Sequence, residues 1–196
     1  MGSNRLNLAL VAFVSVTVGC SCPRGLVVTD DPYRYVVSVS VSGYPGSPLR
    51  RAFADLNDDG IDELLAAHIS DSGTGGWGWH IFQKKQERYA YLGHVFGKIR
   101  VEKKSRHGFH DLSVLARLGG TEGETYGPLI SFAYDGNRYV EIRRTGVRFM
   151  DLGIIDPVTH DWVRQPGWLF PQVEYCENYI SGNREWRTLS TWSWMK

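Results

Sequence analysis

The feature that most constrains the fold of this chain is a succession of short strand-like segments, each ended by a glycine-rich or polar turn. In the segment 33–42, residues 37–42 alternate valine with serine, which gives one apolar and one polar face, as in a half-buried strand. Residues 62–69 and 77–83 are short apolar or aromatic runs on either side of the glycine-rich loop 70–76. No window has the long 3.6-residue period of an amphipathic helix. These patterns predict consecutive β-strands.

Similar segments continue towards the C-terminus. Five more strands are expected, at residues 89–92, 98–103, 112–118, 129–134 and 138–143. Between the last two, Asp135, Gly136 and Asn137 are residue types that accept positive φ in a tight hairpin. The 22 glycines and the 13% of aromatic residues suit many short strands joined by turns. We therefore expect an all-β fold, mainly an antiparallel meander, built as a sandwich-like or propeller-blade-like sheet.

Composition divides the chain into four regions. These are a signal peptide at 1–19, a tether at 20–32, a β-rich domain at 33–150 and a C-terminal extension at 151–196. The extension combines prolines and tryptophans without clean alternation, and we expect an irregular cap that packs on the same domain. A formal net charge of +1 gives no general attraction to nucleic acid or to anionic lipid.

The first twenty residues have the order of a secretory leader. Arg5 is followed by an apolar run at 8–18 that is too short to span a bilayer core comfortably. The Gly19-Cys20 junction resembles the lipobox of bacterial lipoproteins, although Thr17 stands where that motif normally has Leu, Val or Ile. The resemblance implies export, a lipid on Cys20, and a position at the periplasmic side of a membrane. Ordinary cleavage after Gly19 is the alternative.

The three cysteines fit an oxidising compartment. If Cys20 carries lipid, Cys22 and Cys176 remain, and they are an even number that can form one disulfide. If Cys20 carries no lipid, Cys20 and Cys22 compete for Cys176 and one thiol is left over. No spacing of cysteines and histidines suggests zinc.

An acidic stretch at residues 55–63 has the oxygen donors that calcium prefers. Three side-chain donors alternate along the chain, and Gly60 permits a sharp turn that brings the next backbone carbonyl back towards them. The candidate calcium ligands are Asp55, Asn57, Asp59, the carbonyl of Ile61, and Glu63. An EF-hand needs an acid at the twelfth loop position, which is Ala66 here. The alternative is a metal-free turn held by local hydrogen bonds of its Asp and Asn side chains.

Residues 53–65 contain the pattern Asp-x-Asn-x-Asp-Gly-x-x-Glu. This stretch resembles the calcium loop of FG-GAP or VCBS-type repeats, which joins two strands of a propeller blade. The resemblance implies that the five candidate ligands bind Ca²⁺, and it implies nothing about catalysis. Repeats of this family occur in series, whereas one copy is found here, so we expect a lone β-domain that carries the loop.

Other catalytic patterns are weak. His107, His110 and Asp111 lie close in sequence, but positions three apart on a strand face opposite sides. The chain has no serine-hydrolase elbow, no phosphate-binding glycine loop and no HExxH motif. Paired carboxylates of a glycosidase need not be close in sequence. The acids considered for that role are Glu122, Glu124, Glu174 and Glu177.

Three function classes follow. The leading interpretation is a non-enzymatic binding module of the cell envelope, for example an inhibitor or immunity protein against a cell-wall-degrading toxin. Its partner is an unknown protein or glycan, and Trp77 and Trp79 are the expected contact residues. The first alternative is a cell-wall carbohydrate-active enzyme with paired carboxylates. The second is a structural envelope lipoprotein.

Overall fold

The computed structural model describes residues 26–40, 48–73, 76–118, 125–153, 173–176 and 185–189. Within these ranges the chain forms strands, one α-helix (α1, Pro32–Val39) and a 3₁₀ turn at Ile69–Asp71. The strands are β1 (Val28–Thr29), β2 (Leu49–Ala54), β3 (Glu63–His68), β4 (Ser72–Gly73), β5 (Gly76–Lys85), β6 (Arg88–Phe96), β7 (Lys98–Arg106), β8 (Phe109–Leu115), β9 (Tyr126–Tyr134), β10 (Tyr139–Arg148), β11 (Val173–Cys176) and β12 (Arg187–Leu189).

The strands form two antiparallel sheets, neither of which closes into a barrel. The first sheet has the order β1-β6-β5-β3-β2-β11-β12, with β4 paired to β5. The second has the order β10-β9-β8-β7. The predicted all-β antiparallel fold is confirmed.

The two sheets share one apolar core. Leu65 and Ile81 of the first sheet and Leu112 and Val114 of the second are fully buried and belong to the same cluster. Because side chains alternate along a strand, each sheet turns one face towards this cluster. Burial of these faces is the main favourable contribution to folding, and the arrangement is a β-sandwich.

The predicted strand at residues 33–42 is wrong, because residues 32–39 form α1. The side chain of Asp31 accepts hydrogen bonds from the N–H groups of Tyr33 and Arg34, which caps the helix N-terminus. Pro32 occupies the first turn, where its fixed φ is compatible with a helix. Val36 is fully buried in a second cluster that includes Phe82, so α1 covers the outer face of the first sheet.

The predicted hairpin at Asp135-Gly136-Asn137 is confirmed. The N–H of Asp135 donates to the carbonyl of Arg138 at 3.0 Å, and Gly136 has φ of +99°. The carboxylate of Asp135 accepts from the N–H groups of Asn137 and Arg138 at 2.9 and 2.8 Å. These bonds connect β9 to β10.

The C-terminal region supplies two short strands to the first sheet. β11 pairs with β2 on one side and with β12 on the other. The remainder of the predicted cap lies outside the described residues, apart from a turn at 151–153 and residues 185–186. The predicted signal peptide at 1–19 and both N-terminal cysteines also lie outside them. No helix in the described part of the chain is long and apolar enough to cross a membrane.

Candidate functional site

The predicted calcium loop connects β2 to β3 and is held by its own polar side chains. The carboxylate of Asp55 accepts from the N–H of Gly60 at 2.9 Å and from the N–H of Asn57 at 3.2 Å. Asp59 accepts from the N–H of Ile61 at 2.8 Å. Desolvation acts to raise the pKa of Asp55, but these backbone N–H groups hold it below its ordinary value. Gly60 has φ of +80°, which allows the chain to reverse here.

Glu63 lies beneath the loop and is only 1% exposed. Its Oε2 atom accepts a hydrogen bond from the N–H of Leu56 at 2.8 Å. Burial raises the pKa of Glu63 to about 7, and the nearby carboxylates of Asp59 and Asp55 act in the same direction. The charged form of Glu63 is therefore disfavoured unless a cation balances it.

The loop also contacts the second sheet. The N–H of His110 donates to the carbonyl of Leu56 at 2.8 Å, and His110 Nε2 lies 2.9 Å from a carboxylate oxygen of Asp58. The hydroxyl of Tyr139 donates to the carbonyl of His110 at 3.0 Å. These contacts connect the loop to β8 and β10, so the loop lies where the two sheets meet.

The oxygen donors of the loop fit Ca²⁺ in chemical type. A carboxylate or amide oxygen that accepts one hydrogen bond keeps a lone pair for a metal. Among the described residues, however, no three His, Cys, Asp or Glu side chains are grouped so that they could hold a metal ion together. Calcium binding at Asp55, Asn57, Asp59, Ile61 and Glu63 stays a prediction.

The expected contact residue Trp79 is a core residue, which corrects its assignment to a partner surface. It is 3% exposed and belongs to the cluster between the sheets. Its strand, β5, packs on the core between the sheets through Ile81 and on the cluster beneath α1 through Phe82, so both faces of that strand are covered. Trp77 is half-buried, and the guanidinium of Arg50 stacks 3.5 Å from its ring centroid. Burial lowers the pKa of Arg50 to about 10.

The structure describes one residue of the predicted disulfide, Cys176, and one of the acids considered for glycoside hydrolysis, Glu174. Cys176 is 1% exposed, in the cluster beneath α1; its predicted partner Cys22 lies outside the described residues, so the disulfide stays a prediction. Glu174 accepts from Arg51 Nε at 2.6 Å, which ties β11 to β2. The other three acids considered for glycoside hydrolysis also lie outside the described residues.

A group of histidines on the helix side of the first sheet was missed from the sequence. The rings of His80 and His94 are 4.6 Å apart between centroids, and His80 Nε2 lies 3.8 Å from a carboxylate oxygen of Asp71. His80 is 7% exposed, and its Nδ1 atom has no hydrogen-bond partner in the described structure. Burial lowers the pKa of His80 to about 3 and also lowers the pKa of His94. These imidazoles are held neutral, and no sequence spacing connects them because the pairing of β5 with β6 brings them together.

We compared the chain with protein-family models, with curated proteins and with solved structures, and it matches none of them. The resemblance of residues 53–65 to the FG-GAP and VCBS-type loop therefore rests on its motif residues alone.

Proposed function

We propose that this chain is an exported, lipid-anchored and calcium-stabilised β-domain that acts as a non-enzymatic binding or inhibitor/immunity-type module in the cell envelope. The calcium part is supported by one observation above all. The buried carboxylate of Glu63 lies beneath a loop that carries Asp55 and Asp59, and these like charges disfavour one another without a cation. Export and the anchor at Cys20 rest on the order of residues 1–20.

A cation at this loop would act on the whole sandwich. The ligands would be Asp55, Asn57, Asp59, the carbonyl of Ile61, and Glu63. Because the loop is bonded to β8 through His110, an ion that fixes the loop also fixes the junction of the two sheets. The ion would supply charge neutralisation and rigidity, which suits a scaffold for binding.

We call the stabilisation of the loop at residues 55–63 by a bound Ca²⁺ ion the calcium clamp. Thermal unfolding with and without calcium tests it. With a Kd of about 0.1 mM, about 1 mM free Ca²⁺ adds about 1.4 kcal/mol to the free energy of unfolding. A chain of this size then unfolds about 4 °C higher. We expect Asp59→Ala to abolish this shift and Asp62→Ala, a matched change at an exposed acid of the same loop, to keep it. A wild-type melting temperature that is equal in calcium and in chelator would contradict the calcium clamp.

Two assays test the remaining parts of the proposal. Cell fractionation should place the wild type in the membrane fraction, and Cys20→Ala should release it into the soluble exported fraction. The purified chain should release no reducing ends from peptidoglycan. Hydrolysis of peptidoglycan would contradict the non-enzymatic assignment and favour the enzyme.

A further inference from the structure

An open groove of about 750 Å³ crosses the outer face of the second sheet. The strand register places Arg100 beside Ser113, Ser113 beside Ser131, and Ser131 beside Arg143. These four residues form one row across β7, β8, β9 and β10, and all of them line the groove. The next residue along β8, Val114, is buried in the core on the opposite face. Three interstrand spacings make the row about 14 Å long.

The groove carries surplus positive charge. Arg100 Nε donates to a carboxylate oxygen of Glu102 at 2.8 Å, so this pair is balanced. Lys103, Lys104 and Arg143 also line the groove, and none of the three makes an ion pair within the described residues. The formal net charge of the whole chain is only +1, so this concentration of positive charge is a local feature of the groove. Unpaired guanidinium and ammonium groups beside serine hydroxyls favour an oxyanion.

The floor of the groove has an acceptor that lacks a donor. Asp111 is 6% exposed, and its Oδ1 atom has no hydrogen-bond partner in the described structure. Its other carboxylate oxygen lies 3.4 Å from Arg106 Nε. A buried oxygen without a donor is costly. Asp111 and Arg106 both line the groove, and the Arg106 side chain is 39% exposed, so a ligand hydroxyl in the groove is the donor that this oxygen lacks.

We propose that this groove binds a saccharide that carries carboxylate groups. A carboxylate of the ligand lies between Arg143 and the hydroxyls of Ser113 and Ser131, and a ring hydroxyl of the same ligand donates to Asp111. The inference rests on the proposed function in one respect, because it names the ligand class of the binding module. It does not depend on calcium, since the calcium loop contributes no residue to the groove.

The groove fits other acidic ligands less well. An acidic protein must bring a separate backbone N–H or hydroxyl group to Asp111 Oδ1, because its carboxylates only accept, whereas an acidic saccharide carries carboxylate and hydroxyl groups on the same ring. Single-stranded nucleic acid is held by bases stacked on aromatic side chains, and no described aromatic residue lines this groove. Peptides that extend a sheet bind at its edge, whereas this groove crosses a face.

Isothermal titration of the purified full chain with trigalacturonate tests the site. We expect saturable binding that Arg143→Gln weakens about tenfold, as does the double change Ser113→Ala with Ser131→Ala. Arg144→Gln is the matched control. Its guanidinium is bound to Glu141 at 2.7 and 2.9 Å, and it does not line this groove, so affinity should be unchanged.

The inference is overturned if the folded wild type does not bind trigalacturonate, or if neutral trigalactose binds equally well. Equal binding of poly-glutamate or of a single-stranded oligonucleotide would overturn the saccharide class. Each titration is run in calcium and in chelator. If calcium does not change the melting temperature but the protein binds trigalacturonate, the calcium clamp alone is contradicted. A calcium-stabilised fold without trigalacturonate binding contradicts the groove alone.

Discussion

The backbone N–H of Leu56 donates a 2.8 Å hydrogen bond to the carboxylate of Glu63, seven residues further along the chain. This bond closes the loop between β2 and β3 and positions a nearly inaccessible acid below it. The carboxylates of Asp55 and Asp59 lie near enough to disfavour its charge. The same bond thus closes the loop and partly offsets the cost of burying the charge of Glu63, because it acts to lower the pKa of this acid.

Replacing Glu63 should separate the effect of its hydrogen bond to Leu56 from the effect of its buried charge. In Glu63→Gln the amide oxygen can still accept from Leu56, but no buried charge is formed. We expect the free energy of unfolding in chelator at pH 8 to rise by about 1–3 kcal/mol, and added calcium to have no further effect. Urea unfolding in chelator and in calcium measures both free energies. Glu141→Gln, at an exposed acid, is the control, and a chelated Glu63→Gln protein that is less stable than wild type would refute the prediction.

The capping side chain of α1 should contribute measurably to stability. Asp31→Ala removes an acceptor that bonds two N–H groups of the first turn. We expect a loss of about 1 kcal/mol in urea unfolding. Asp30→Ala removes a surface ion pair with Arg88 and should cost about 0.5 kcal/mol or less. Equal losses for the two variants would argue against the cap.

His80 should make the fold sensitive to acid. Burial lowers its pKa to about 3 in the folded chain, whereas an unfolded histidine titrates near 6.5. Between these values the unfolded chain binds the extra proton, so stability is present above pH 6.5 and is lost as the pH falls. We expect this histidine to cost about 2 kcal/mol at pH 5. His80→Gln should reduce the stability difference between pH 7.5 and pH 5 by that amount in urea unfolding, and an unchanged difference would show that His80 does not titrate in this way.

Gly127 should not tolerate a side chain. A Cβ atom there would fall on the carbonyl oxygen of Ala116, which is backbone and cannot move cheaply. We expect Gly127→Ala to cost about 3 kcal/mol or to prevent folding. At Gly146, on the paired strand β10, an added Cβ atom would have no neighbour within 4 Å, so Gly146→Ala should be neutral or stabilising by about 0.5 kcal/mol. Similar melting temperatures for the two variants would contradict this packing.

Most strands were predictable because their evidence is local. The hairpin at Asp135 and the runs around residues 62–69 and 77–83 carry alternation and turn chemistry within a few residues. The segment 33–39 misled because about two helical turns are too short for a 3.6-residue period to be told from valine–serine alternation. The Asp31-Pro32 start signal was present in the sequence and decides for the helix.

The functional surfaces were less accessible to sequence reasoning. The acidic loop is contiguous, so its residues could be named in advance, but its contact with His110 depends on how the sheets pack. The row from Arg100 to Arg143 joins residues of four strands, and only the register brings them together. Trp79 looked like a contact residue because a sequence does not show that its strand is covered on both faces.

Val28 is paired with Ala90 at the start of β1, and the proposed lipid site at Cys20 precedes it by only eight residues. Even a fully extended segment of that length reaches at most about 29 Å. The length of this connecting segment is therefore close to the thickness of the hydrocarbon core of a bilayer, about 30 Å. In a lipidated chain, β1 would therefore stay within about 29 Å of the lipid site, and the sandwich would lie next to the membrane surface.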